Sequence, residues 1–107
     1  MLGTKKIMWS LATRMIPFSG FEWDSGNSAK NWRKHRVSKR ECEEVFAREP
    51  LVILEDISHS IFEQRMIALG NTKKERKLTI AFTFRNGMIR VISARPMSKK
   101  ERALYEK

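Results

Sequence analysis

The chain of 107 residues is poor in the residues that build disulfides and metal centres, with one cysteine and two histidines. A single cysteine cannot form an internal disulfide, and these three residues are too few for a structural zinc site. This shortage fits a protein of the reducing cytoplasm. We therefore predict no metal ion, no cofactor and a cytoplasmic location, with Cys42 as a packing residue.

Negative charge is also scarce, because 12 acidic residues oppose 22 lysines and arginines and leave a formal net charge of +10. This excess favours a polyanionic partner, usually nucleic acid and less often an anionic membrane. Solvated surface cations are the alternative interpretation. No membrane partner is expected, because the apolar stretch within residues 1–20 is too short to span a bilayer and is interrupted by Arg14.

The length is sufficient for one compact domain and too short for two. Hydrophobic residues make up 41% of the chain and charged residues 32%, which is typical of a globular protein. We assign residues 21–107 to this domain. Residues 1–20 are interpreted as a loosely attached N-terminal extension or an amphipathic segment.

The first half of the domain contains a strand signal followed by two helix signals. Residues 21–24, FEWD, are predicted to form a short strand. Asp24 or Ser25 is the N-cap of a first helix that extends to about His35, since either residue offers an oxygen to free backbone N–H groups. Pro50 ends the second helix.

Side-chain patterns predict which residues of the first helix face the core and where the second helix begins. Ala29 and Trp32 are expected to face the core from the first helix. Ser38 and Glu41 have the spacing of a capping box, so the second helix begins at Ser38.

The second half of the domain is rich in strand formers. Four runs at 51–56, 62–70, 78–85 and 88–95 are predicted strands. Asn86-Gly87 separates the last two runs, and this dipeptide is a strong signal for a tight hairpin turn. Ser98 and Glu101 form another capping box that starts a C-terminal helix. The short connections predict an α+β fold, with an antiparallel sheet of four to five strands and two N-terminal helices and one C-terminal helix packed on it.

Strand alternation in the hairpin predicts where its arginines lie. A two-residue turn pairs Arg85 with Met88, and counting from this pair places Arg95 on the apolar face. Arg90 falls on the opposite face. The apolar residues of the first face are Leu78, Ile80, Phe82, Phe84, Ile89 and Val91.

Arg65 has the same character in the preceding strand, where it shares a face with Leu69. Two core-side arginines on different strands predict a phosphate-sized pocket lined with guanidinium groups, since an unpaired buried charge is very costly. Ion pairs with Glu63, Glu101 or Asp56 are the structural alternative, and the sequence leaves both open.

Several motifs occur together in one known family. They are F-E-W-D at 21–24, N-x-x-K-H at 31–35, V-S-x-x-E at 37–41, V-F at 45–46, L-E-D at 54–56, Q-R-M-I-A-L-G at 64–70 and I-S-A-R-x-x-S-x-x-E-R-x-x-Y-E at 92–106. With this combination, residues 21–107 resemble the BrnT toxins of bacterial type II toxin–antitoxin systems. Two positions depart from the family pattern, because Arg36 stands where glycine is usual and Lys39 where an aromatic residue is usual.

The resemblance implies a RelE-like fold and an endoribonuclease that halts growth by cutting RNA. It also implies a BrnA-type antitoxin with a DNA-binding domain, so that operator DNA is bound only through the complex. RNA cleavage without a metal uses the ribose 2′-hydroxyl as nucleophile, with a base, an acid and cations around the phosphate.

We divide the candidate site residues into a catalytic group and an RNA-binding group. In the catalytic group, Arg65 and Arg95 stabilise the transition state. Glu101 or His35 is the base, and Tyr105 is the acid or stacks on a nucleobase. The RNA-binding group is Lys30, Lys34, Arg90, Lys99 and Arg102.

The stretch from Lys30 to Arg40 carries six lysines and arginines and no acidic residue. It is a candidate surface for an RNA backbone or for antitoxin carboxylates, and a solvated helix face is the alternative. Trp23 and Trp32 are suited to stacking on bases, but core packing is the preferred interpretation for both. The rival function is a module that binds nucleic acid or an antitoxin without catalysis.

Overall fold

The computed structural model describes residues 4–8, 19–56 and 64–106. Its strands are β1 Thr4–Met8, β2 Val52–Asp56, β3 Arg65–Asn71, β4 Lys77–Arg85 and β5 Met88–Pro96. Its helices are α1 Ser25–His35, α2 Lys39–Ala47 and α3 Lys99–Tyr105. The strands form one antiparallel sheet in the order β1-β2-β3-β4-β5. The predicted α+β class and the antiparallel meander are confirmed.

The N-terminal part of the chain differs from the prediction in two ways. β1 lies inside the segment interpreted as a loose extension, and it pairs with β2 along its length. The prediction of a strand at FEWD is wrong, because within residues 21–24 only Phe21 forms a β-bridge, which pairs it in parallel with Ile89. The backbone of Ile89 bonds to Gly20 and Glu22, and Asp24 then starts α1, which leaves no room for a longer ladder.

Capping boxes define the start of each described helix, as local sequence predicts for two of them. In each box the cap side chain accepts from a backbone N–H three residues later, and that later side chain accepts from the cap N–H. The pairs are Asp24 with Asn27, Ser38 with Glu41, and Ser98 with Glu101.

The inward side of α1 is polar, because this helix lies along the free edge of β5. The Asn27 side-chain amide donates to the Val91 carbonyl at 3.0 Å, and the Asn31 side-chain oxygen accepts from the Ala94 N–H at 3.0 Å. The two asparagines therefore satisfy backbone groups that a sheet edge would leave open.

Trp32 and Ala29 consequently point outward, and their predicted place in the core is wrong. They lie on the side of α1 away from Asn27 and Asn31, where no sheet is available to cover them. Arg36 is the C-cap residue that follows α1, and its φ of 53° is left-handed. Arginine thus adopts the conformation for which glycine is favoured, at a cost of about 1 kcal/mol.

The main core lies between α2 and one face of the sheet, and it includes Cys42 as predicted. Burial raises the pKa of the Cys42 thiol to about 12, so it is an inert packing group. A smaller cluster occupies the other face beneath α3, and its buried members are Val52, Leu54, Leu69, Met97 and Tyr105.

Candidate functional site

One extra residue in the β4–β5 hairpin decides where Arg95 lies. Near the turn the predicted register is confirmed, with Arg85 opposite Met88. Midway along the hairpin the register shifts by one residue, and Ile92 is the unpaired one. A one-residue insertion moves the following side chains to the other face of the sheet. Arg95 therefore lies opposite Thr79, and its predicted place on the apolar face of β4 is wrong.

The shift brings three arginines to the same face of the sheet. On β3, Arg65 lies on the same face as Leu69 by strand alternation. Leu69 pairs with Thr79, and Thr79 pairs with Arg95. On β4, Thr83 is in phase with Thr79 and pairs with Arg90. Arg65, Arg90 and Arg95 thus share the face that carries α3 at one end.

Strand geometry separates these arginines along the face. Arg65 and Arg95 are four residues apart along a strand and two strands apart, which corresponds to roughly 16 Å between their Cα atoms. Arg65 and Arg90 are two strands apart, or roughly 10 Å. The predicted single pocket of phosphate size is therefore replaced by a row of cations spread along the face, which is suited to separate phosphates of one strand.

Arg95 is held by Glu101 in a bidentate pair, and both N–O distances are 2.7 Å. Glu101 also accepts from the Thr79 hydroxyl at 2.9 Å and from the Ser98 N–H at 2.8 Å. The Glu101 side chain is only 15% exposed, whereas that of Arg95 is 41% exposed. The predicted structural alternative thus exists for Arg95, yet its guanidinium still reaches solvent.

Electrostatics assign Glu101 a supporting role. Burial would raise the pKa of this carboxyl, but hydrogen bonds from Arg95, the Ser98 N–H and Thr79 outweigh burial and lower the pKa to about 2. The hydrogen bond that Arg95 donates to Glu101 raises the pKa of Arg95 in turn. A carboxylate with so low a pKa is a poor proton acceptor at neutral pH, but it holds a guanidinium in one orientation.

Arg90 is held by two acidic residues of the FEWD segment. Its guanidinium donates to Glu22 at 3.1 Å and to Asp24 at 2.8 Å, across the edge of β5. The hydrogen bond to Asp24 is the main cause that raises the pKa of Arg90. Sequence analysis did not detect this contact, because it joins residues more than sixty positions apart.

Arg65 stands directly opposite Asp56 in the β2–β3 ladder. Glu63, another predicted partner, lies outside the described residues, as do residues 57–63 as a whole.

Tyr105 is 7% exposed and attaches α3 to the sheet. Its hydroxyl donates to the Pro50 carbonyl and accepts from the Asn71 side-chain amide, both at 2.7 Å. Burial is the main cause that raises the pKa of Tyr105. The packed ring has no open face for a nucleobase, so this geometry fits a positioning role.

The remaining predicted residues fall on two helices. Lys99 and Arg102 are exposed on α3, on the side of the three arginines. Lys30 and Lys34 are exposed on α1, beyond the edge of β5. His35 ends α1, and its backbone carbonyl accepts from Arg76 at 2.9 Å. The structure therefore separates Lys30 and Lys34 from the sheet arginines.

Among the described residues, no group of three or more histidines, cysteines or acidic residues is arranged to hold a metal ion. In the same part of the chain, none of the helices has both the length and the apolar character to cross a membrane.

Comparison with known families identifies the chain. The family model described as "Ribonuclease toxin, BrnT, of type II toxin-antitoxin system" matches residues 23–101. A comparison with curated proteins finds no match. The family match covers most of the chain, so the protein belongs to the BrnT family of ribonuclease toxins, which implies an RNA substrate and an antitoxin partner.

Proposed function

We propose that this BrnT toxin is a metal-independent endoribonuclease whose substrate lies across the open face of β3, β4 and β5. The observation that carries the proposal is the shared face of Arg65, Arg90 and Arg95, which follows from the bulge at Ile92. Guanidinium groups match phosphate oxygens in geometry and charge, and a row of them is suited to a sugar–phosphate strand.

In the proposed reaction the ribose 2′-oxygen attacks phosphorus as a base removes its proton. The bond from phosphorus to the 5′-oxygen then breaks, and that oxygen receives a proton. Arg95 stabilises the negative charge that develops on phosphorus-bound oxygens. Because Glu101 already holds the guanidinium, little reorganisation is required in the transition state.

Arg65 is assigned to a phosphate more than one nucleotide away from the reacting one, because its Cα lies roughly 16 Å from that of Arg95 by strand geometry. Arg90, Lys99 and Arg102 are assigned to flanking phosphates on the same side of the protein. Lys30 and Lys34 are assigned to RNA that passes the edge of β5.

The acid and base roles follow from the surroundings of the predicted candidates. Glu101, with its pKa lowered to about 2, is assigned to orienting Arg95. His35 remains the candidate base, because α1 ends near the end of β5 that carries Arg95. Tyr105 is assigned to positioning α3 through its bonds to Pro50 and Asn71.

Cleavage of labelled RNA in EDTA tests this proposal. We expect the wild type to cut and to leave 2′,3′-cyclic phosphate ends. Arg95→Ala should reduce the rate by about a hundred- to a thousandfold, as for the loss of one transition-state donor. Lys74→Ala is the matched control, because Lys74 is an exposed cation in the turn between β3 and β4. Cleavage only in the presence of a metal would overturn the metal-free mechanism, and tight binding of intact RNA would favour the non-catalytic module.

The antitoxin is proposed to be of the BrnA type, with a DNA-binding domain that brings operator DNA to the complex. The net charge of +10 supports an acidic toxin-binding segment in that partner. Co-expression with the adjacent reading frame should yield a complex that binds the operator, whereas the toxin alone should not bind it specifically. An operator footprint from the toxin alone would contradict this assignment.

A further inference from the structure

We propose that the outer surface of α1 is a second RNA-binding surface, on which Trp32 stacks against an unpaired base of the substrate. This inference rests on the proposed function, since RNA is the ligand of both surfaces. It adds a base-stacking site that lies apart from the arginine-bearing sheet face.

The position of Trp32 is the first observation. This indole is 49% exposed, and it is the one large hydrophobic side chain exposed in the described part of the chain. Trp23, by contrast, packs against the main core and donates to Glu43 at 2.8 Å. An exposed indole forgoes part of the free energy of burial and leaves its ring accessible to a ligand.

The ring is also held in place. The guanidinium carbon of Arg36 lies 5.2 Å from the centroid of the Trp32 ring. Arg36 approaches from the C-terminal side of the helix, and side chains on a helix lean toward its N-terminus. The turn before Trp32 carries only the small residues Ser28 and Ala29, which leave the other side of the ring open.

The positive charge of α1, taken together with the exposed ring, favours RNA over an acidic peptide as the ligand of this surface. Arg36 lies at the Trp32 ring, and the exposed Arg33 is next to Trp32 in sequence. The exposed Lys30 and Lys34 lie on another flank of α1, and residues 25–40 contain no acidic side chain. Neighbouring like charges on a helix destabilise it by a few tenths of a kcal/mol. An exposed aromatic ring on a basic helix, with arginine beside it, is a combination that binds single-stranded RNA, where the ring takes a base and the cations take phosphates. An acidic peptide would use the cations but not the ring.

The position of α1 gives a path from one surface to the other. Asn31 accepts from the Ala94 N–H, and Arg95 is the next residue on that edge strand. A strand bound at Arg95 that crosses the edge of β5 therefore meets α1.

Binding of an uncleavable RNA tests the inference. The probe is a labelled 2′-O-methyl RNA of about 12 nucleotides, which is long enough to span both surfaces. We expect Trp32→Ala to weaken binding by about ten- to a hundredfold, whereas Trp32→Phe should retain most of the affinity. Arg33→Gln should lower the slope of log affinity against log salt by about 0.7, and Lys74→Gln should leave it unchanged.

Fluorescence reports the stacking itself. RNA should quench the tryptophan emission of the wild type, and Trp32→Phe should lose most of this quenching. On cleavable RNA, Trp32→Ala should raise KM without changing kcat, in contrast to Arg95→Ala. The binding assay uses uncleavable RNA, so its result does not depend on catalysis. A wild type that does not cut cleavable RNA would contradict the proposed function, but the binding test of Trp32 would remain valid.

Equal RNA affinity of Trp32→Ala and the wild type would overturn the inference. So would a correctly folded Trp32→Ala protein that keeps its RNA affinity but no longer binds the antitoxin, because α1 would then be a protein-binding surface.

Discussion

Replacing Glu101 with glutamine tests whether this carboxylate anchors Arg95. The amide keeps an oxygen for the Ser98 N–H, so the start of α3 is preserved, but the bidentate pair with Arg95 is lost. We expect the variant to be less stable than the wild type by about 1–3 kcal/mol at neutral pH.

The shift of the Glu101 pKa sets both the size of this effect and its pH dependence. The pKa falls from 4.5 to about 2, and one pKa unit corresponds to about 1.4 kcal/mol, so the charged form contributes at most about 3 kcal/mol. Because Arg95 is 41% exposed, water screens the pair and the lower part of the range is expected. A pKa that is lowered on folding gives stability above the unfolded pKa of 4.5, and this stability is lost as the pH falls toward 2.

Urea unfolding at a series of pH values between about 7 and 2.5 measures this dependence. The difference in unfolding free energy between wild type and Glu101→Gln should be largest above about pH 5 and should shrink steadily in acid. Glu75→Gln is the control, because Glu75 is an exposed carboxylate in the turn between β3 and β4. A difference that stays constant across the whole pH range would refute the anchoring role.

Two further predictions concern buried hydrogen bonds. Tyr105→Phe removes the hydroxyl that donates to Pro50, and unfolding in urea should show a loss of about 1–3 kcal/mol; an unchanged midpoint would contradict the positioning role. Asn31→Ala leaves the buried Ala94 N–H without its acceptor and should cost about 1–3 kcal/mol in the same assay. Lys30→Ala, an exposed change on the same helix, should stay within about 0.5 kcal/mol, and equal losses for both α1 variants would contradict the edge contact.

The elements of the fold were largely predictable because their signals are local. Ser38 with Glu41 and Ser98 with Glu101 mark helix starts through hydrogen bonds that span three residues. Asn86-Gly87 specifies the hairpin turn, where both residues have positive φ. FEWD failed as a strand because its strand propensity is outweighed by Asp24, whose side chain caps α1.

The candidate site was predictable in part. The residue types were identified from sequence, and so was the face shared by Arg65 and Leu69. The face of the sheet on which Arg95 lies was not predicted correctly, because counting from the turn assumes an unbroken register, and the bulge at Ile92 breaks it. The contacts of Arg90 with Glu22 and Asp24 join residues more than sixty positions apart, which no local pattern reveals.

The sequence by itself determined the order of helices and strands from α1 onward, the position of the hairpin turn and the excess of positive charge. These properties depend on backbone preferences and composition, which each short segment carries with it. Only the tertiary structure decided that Arg95 joins Arg65 and Arg90 on one face, and that Trp32 faces solvent. Both outcomes depend on how β5 pairs with β4 and α1, and such long-range pairing is set by the packing of the whole domain.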